Sequence, residues 1–132
     1  MPIYYALVAK HQNIVLADFT SYSGNFQEYA MRLMDRITEN TKKTFELDEF
    51  LFHYINEDGL SVLCMTDKKF NFKQAFAFLV DVKKSLLEYY TTRDLERAAA
   101  HALTTFPETI QDKMVRSVFT TTVKQREYPR RQ

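Results

Sequence analysis

The chain has 132 residues, 45% apolar and 27% charged, with a net charge of +1. That length fits one domain with one core, and a charge so near zero gives no electrostatic case for nucleic acid or an anionic membrane surface. A single cysteine forms no internal disulfide, no charged-then-apolar signal opens the chain, and the longest apolar runs, Ile3 to Ala9 and Ala75 to Val80, are seven and six residues against the roughly 20 that cross a bilayer. The expectation is a chain of the reducing cytosol with no membrane span as given.

Ile3 to Ala9 and Ile14 to Phe19, rich in β-branched and aromatic residues, flank the polar tetrad Lys10 to Asn13 and predict a strand, a turn and a second strand. The loop Ser21 to Asn25 follows, and Asn25 with Glu28 has capping-box spacing. The helix it starts carries Phe26, Tyr29, Ala30, Leu33, Met34 and Ile37 at steps of three and four, with Met31 off that stripe. Asn40 to Lys43 is polar and ends the helix, and Thr44 to Leu47 reads as a short strand before the turn Asp48-Glu49.

Phe50 to Ile55 and Leu60 to Thr66 are apolar on both alternating faces, as in strands covered from both sides. With Asp58-Gly59 as a two-residue turn, Glu57 pairs with Leu60 and His53 falls opposite Cys64. From Asn71 to Tyr90 a second helical stripe runs through Phe72, Ala75, Phe76, Leu79, Val82, Leu86 and Tyr90, widened by Phe78 and Val80. Arg93 to Leu103, rich in alanine, extends it as a possible continuation. Thr105 and Glu108 around Pro107 signal a new start, with Ile110, Met114, Val115, Val118 and Phe119 as its apolar face. The pattern is lost over Lys124 to Gln132. The order is β-β-α-β-β-β-α-α: α+β, with helices on both faces of an antiparallel sheet.

Chemistry-bearing patterns are few. Two glycines cannot spell either phosphate-binding loop, so no nucleotide cofactor is expected. Cys64 beside His53 has the composition of a thiolate nucleophile with its base, yet a cysteine between Leu63 and Met65 on a doubly covered strand reads better as core. His11, His53 and His101 lie on unrelated elements with no spaced cysteines, which leaves no metal set. The carboxylates Glu46, Asp48, Glu49, Glu57 and Asp58 fall in turns or at strand ends, where charges are solvated. Lys124, Arg126, Arg130 and Arg131 are too few for a lipid-binding patch and read as a linker.

Four stretches carry a resemblance: MPIYYALVAKHQNIVLADF, GNFQEYAMRLMDRI, FLFHYINEDGLSVLCMTDKKF and AFAFLVDVKKSLLEYY. In this order and spacing the chain resembles the N-terminal longin domain of the R-SNAREs, and is most like that of the long, tetanus-insensitive vesicle-associated membrane proteins of endosomes and lysosomes. The resemblance covers about residues 3 to 120. It implies a profilin-like longin fold, a five-stranded antiparallel sheet with one helix on one face and two on the other. It implies residues 1–122 as the domain and 123–132 as a basic tail or the start of a linker to a SNARE motif.

It also implies no enzymatic activity and no cofactor or metal. The implied role is regulation of membrane fusion by folding back on a SNARE-motif helix, in cis or in trans, and sorting by trafficking adaptors at the cytoplasmic face of vesicle, endosomal or lysosomal membranes. The family's hydrophobic groove, between the first helix and the third strand, maps to Met31, Met34, Thr44, Phe45 and Leu47, with Lys43 beside them where an apolar residue is common. An edge strand next to an apolar trough has a physical rationale as a peptide site. A full R-SNARE would continue after Lys124 with heptads and a membrane anchor; this sequence stops at Gln132, as an excised domain or a longin-only protein would. Two alternatives remain at this level: a longin or roadblock-like scaffold in a tethering or GTPase-regulating complex, and a Cys-His hydrolase.

Overall fold

The computed structural model describes residues 3–10, 14–36 and 40–116. In chain order these form β1 (Ile3–Lys10), β2 (Ile14–Thr20), α1 (Phe26–Met34), β3 (Thr41–Leu47), β4 (Phe50–Glu57), β5 (Leu60–Asp67), α2 (Phe72–Tyr89) and α3 (Thr92–Arg97). A further helix, α4, covers 106–116. The five strands make one antiparallel sheet in the order β2-β1-β5-β4-β3. The α+β architecture expected from the pattern is the one found.

Two cores follow from that sheet. On one face α1 lays Ala30 and Met34 over Tyr5, Leu7, Phe52, Tyr54, Leu63 and Met65. On the other, α2, α3 and α4 bring Leu79, Val82, Leu86, Leu95, Phe106 and Ile110 onto Ala6, Val8, Leu16, Ile55, Val62 and Cys64. The runs that are apolar on both alternating faces are therefore the central strands, covered twice. Among the described residues no helix is long and apolar enough to cross a membrane.

The β4–β5 register is the expected one: Glu57 pairs with Leu60 and His53 with Cys64. Asp58 and Gly59 stand at φ 53° and 80°, the left-handed pair that a two-residue hairpin needs for its twist to match the strands. Asp48 likewise has φ 55° in the two-residue turn between β3 and β4.

Several local expectations are corrected. Asn25 is the first residue outside α1, but its backbone sits at φ −90°, ψ 41° and its side chain makes no capping bond. That is not the extended conformation from which a cap reaches the amides, and Glu28 pairs with Arg32 at 2.9 Å instead. Tyr29, placed on the stripe, is 43% exposed, while Met31, placed off it, packs on the core; the helix is rolled about one residue from the expected orientation. β3 begins at Thr41, since pairing of Thr41 to Lys43 with β4 overrides their polar character. Phe72 and Val80, placed on the α2 stripe, are half exposed on a helix that rests over β4 and β5. The alanine-rich stretch does not continue α2. Thr91 and Asp94 form a complete capping box that opens α3, and the chain leaves the helix at Ala98 with ψ 136°. Val115 is exposed on α4. Ile37, Val118, Phe119, the boundary at 122 and the basic tail lie outside the described residues.

The sheet's two edges are treated differently. Along β2, the carbonyls of Val15 and Leu16 accept from the amides of His101 and Leu103, so the segment joining α3 to α4 covers that edge at its start. Among the described residues β3 has a neighbour only in β4.

Candidate functional site

Register decides what β3 presents. Lys43, Phe45 and Leu47 stand opposite Tyr54, Phe52 and Phe50, residues that belong to or pack on the core beneath α1. Directly paired residues on antiparallel strands share a face, so these three point to the α1 side. Phe45 stacks on Tyr54, 5.9 Å between centroids and 11° between planes, a diagonal contact across the two strands. It remains 40% exposed, and Leu47 is 42% exposed. The β3 edge thus carries a shelf of Phe45 and Leu47 on an aromatic floor. Lys43 stands at its rim, and α1 with half-buried Met31 packs on the same cluster.

The expected groove residues do not all meet there. Met34 is 1% exposed and belongs to the core; its place on the buried stripe of α1 leaves nothing for a partner to touch. Thr44 is turned the other way. Its hydroxyl lies 2.8 Å from Nδ1 of His53 on the α2 face, since neighbouring residues of a strand alternate sides. The set that shares the α1-side surface is Met31, Lys43, Phe45 and Leu47. Sequence reasoning missed Tyr54 as the platform. The two-residue turn at 48–49 held that signal, because counting outward from it sets Lys43 opposite Tyr54.

The thiol-imidazole alternative fails on geometry. His53 is fully buried, with Nδ1 bonded to Thr44 and Nε2 2.9 Å from Oγ1 of Thr66. The rings of Phe72 and Phe76 stand edge-on to it at 5.2 and 5.6 Å. Burial lowers its pKa to about 4, which holds the ring neutral. Cys64 is buried in the α2-side core, and desolvation pushes its thiol far above the ordinary range. A neutral imidazole with both nitrogens bonded to hydroxyls neither takes the proton of this thiol nor stabilises a thiolate. Among the described residues no three His, Cys, Asp or Glu side chains converge on a metal position.

A second concavity lies at the far end of the sheet, lined by Lys10, Ile14, Leu60, Lys83, Leu87 and Leu95 among others. Both of its lysines are engaged, Lys10 with the carbonyls of Glu96 and Ala98 at the end of α3, and Lys83 with Glu57 at 3.0 Å. Their donors serve to close loops over the core.

Residues 16–110 match the family model for longin, the regulated-SNARE-like domain. The chain is 37% identical to vesicle-associated membrane protein 7B of Dictyostelium discoideum over 115 residues, covering 86% of this chain and 44% of that protein. It is 39% identical to mouse vesicle-associated membrane protein 7 over 94 residues, 70% of this chain and 42% of the relative. With vesicle-associated membrane protein 711 of Arabidopsis thaliana it shares 32% over 105 residues, 78% and 47% of the two chains. The chain spans less than half the length of these curated relatives.

Proposed function

This chain belongs to the longin family as a regulated-SNARE-like domain, and from that premise we propose that it is the non-catalytic regulatory head of a vesicle R-SNARE. In this reading the β3 shelf receives a SNARE-motif helix in cis, which withholds that helix from other SNAREs. The same surface receives adaptor segments in trans, which sorts the protein among vesicle, endosomal and lysosomal membranes on their cytoplasmic face. Residues 1–122 form the head and 123–132 start the linker. Membrane attachment comes from a C-terminal anchor of the whole protein.

One observation carries the reading: an open edge strand whose α1-side residues Phe45 and Leu47 stay some two-fifths exposed over Tyr54. Outward backbone groups offer a partner hydrogen bonds, and the apolar shelf offers area to desolvate, the combination used when a peptide or amphipathic helix is recognised. An aromatic anchor of this kind tends to dominate an interface.

The test titrates the 132-residue chain with labelled peptides spanning the SNARE motif of vesicle-associated membrane proteins. Saturable binding is expected. Phe45→Ser should weaken it about 30-fold, the equivalent of a 2 kcal/mol hot spot, while the melting temperature moves by only a few degrees. Thr44→Ala is the opposite-face control: it should lower stability and leave affinity unchanged. Absence of binding by every such segment overturns the reading.

A further inference from the structure

The open edge of β3 is complementary to itself. In a two-residue hairpin the residues flanking the turn form a hydrogen-bonded pair, and bonded and non-bonded pairs then alternate outward. Leu47 and Phe50 flank the turn, so Thr41, Lys43, Phe45 and Leu47 direct their backbone groups to β4. Lys42, Thr44 and Glu46 direct theirs away from the sheet. Those three are the residues that a further strand would bond.

We propose that β3 pairs antiparallel with β3 of a second copy of this chain across a twofold axis at Thr44. The parity permits this register, because outward residues meet outward residues. Thr44 faces its own counterpart, and Lys42 faces Glu46 of the other copy in both directions. The side chains of Lys42 and Glu46 lie on the α2 face with Thr44, so each bonded pair sets an ammonium beside a carboxylate. On the α1 face Lys43 falls opposite Phe45 of the second copy in a non-bonded pair, the closer of the two pair types, where an ammonium can rest on an aromatic ring. A parallel or shifted arrangement loses this double match of charge.

Charges already present do not block it. Lys42 makes no ion pair within 4 Å among the described residues, and its charge acts on Glu57 less than that of Lys83 does. Glu46 pairs with Lys68 at 3.0 Å, with both side chains at least half exposed, and a solvated bridge of that kind holds its members weakly. On the opposite edge the carbonyls of Val15 and Leu16 are already taken by the amides of His101 and Leu103. Pairing of β3 with itself is isologous and closes at two copies. The buried area is small beside standard protein interfaces, so the dimer is expected to be weak and to depend on concentration. The inference is independent of which partner the α1-side shelf takes, although a self-paired β3 has no outward backbone left to offer one.

Sedimentation velocity on the 132-residue chain, from micromolar to near-millimolar concentration and without any partner, tests it. A reversible monomer–dimer equilibrium is expected for the native sequence. Lys42→Glu and Glu46→Lys should each lose the dimer, since like charges then face one another twice. An equimolar mixture of the two should regain it, because every facing pair in the mixed dimer is again a lysine against a glutamate. Amide exchange on the native chain gives a second readout that needs no variant: Lys42, Thr44 and Glu46 should gain protection as concentration rises, while Lys43 and Phe45 should not. A native chain that stays monomeric throughout, a single variant that dimerises as well as the native chain, or a mixture that stays monomeric overturns the proposal. A chain that binds SNARE segments yet stays monomeric at every concentration defeats this inference alone, and one that dimerises when concentrated yet as a dilute monomer binds no such segment defeats only the functional reading.

Discussion

His53 holds the edge strand to the rest of the sheet: one ring nitrogen meets Thr44 on β3, the other Thr66 on β5, and two phenylalanine rings of α2 close over it. A charged ring in that place would lose solvation without gaining an acid, so the fold favours the neutral form and lowers the pKa to about 4. The unfolded chain protonates near the ordinary value of about 6.5. As pH falls below that value the unfolded state takes up a proton that the folded state refuses, and stability declines until the folded pKa is reached. Urea unfolding should therefore show on the order of 2 kcal/mol less stability at pH 5 than at pH 7 from this group. His53→Gln should flatten that slope while lowering stability at pH 7; a slope unchanged in the variant would remove His53 as its cause. The pairing of His53 with Cys64 was legible from Asp58-Gly59 and simple counting. What the ring nitrogens bond was not, because it depends on hydroxyls two strands apart in sequence order, on β3 and β5. Thr44 is the opposite case. Strand alternation alone separates it from Phe45, and the resemblance to a family groove set the two together where that rule keeps them apart.

Elements form where the local signal and the tertiary partner agree, and the misses mark where the partner prevailed. Gly59 shows agreement. Its φ of 80° is cheap for glycine and strained for any residue with a Cβ, so Gly59→Ala should cost about 1 to 2 kcal/mol through the backbone. Chemical denaturation measures this directly, and a loss near zero would show that the turn relaxes to another type. Asn25 shows disagreement: its spacing to Glu28 is right, but the approach of the loop to Phe26 fixes its backbone elsewhere. Gly24 stands at φ 156° with the ring of Phe26 2.8 Å from where a Cβ would be. The Thr91-x-x-Asp94 box stands in the sequence and outweighs the alanine content from Arg93 onward. Both capping bonds form, at 3.0 and 3.1 Å, and Thr91→Ala should cost about 1 kcal/mol. Helix propensity then yields at Ala98 because the next residues are used along β2, a tertiary demand that no local window contains.

At the scale of the whole molecule, the two helical layers decide which parts of the sheet can react with anything. Cys64 lies on β5, the central strand of the sheet, between β1 and β4, with helices over both faces. No local fluctuation of an edge uncovers it; β4 or α2 must first leave. Its thiol is held protonated by burial, so reaction with iodoacetamide requires an open state in which both exposure and the ordinary acidity are regained. Labelling of Cys64 should accordingly track the population of the open form, with a urea dependence close to the equilibrium m value. Substitutions confined to the β3 rim, such as Lys42→Glu, should leave the rate unchanged. His53→Gln should raise it by the factor by which it lowers global stability, roughly tenfold for each 1.4 kcal/mol. Rapid labelling in native buffer that His53→Ala abolishes would mean the opposite, a thiol and imidazole acting together at an accessible site in this hairpin.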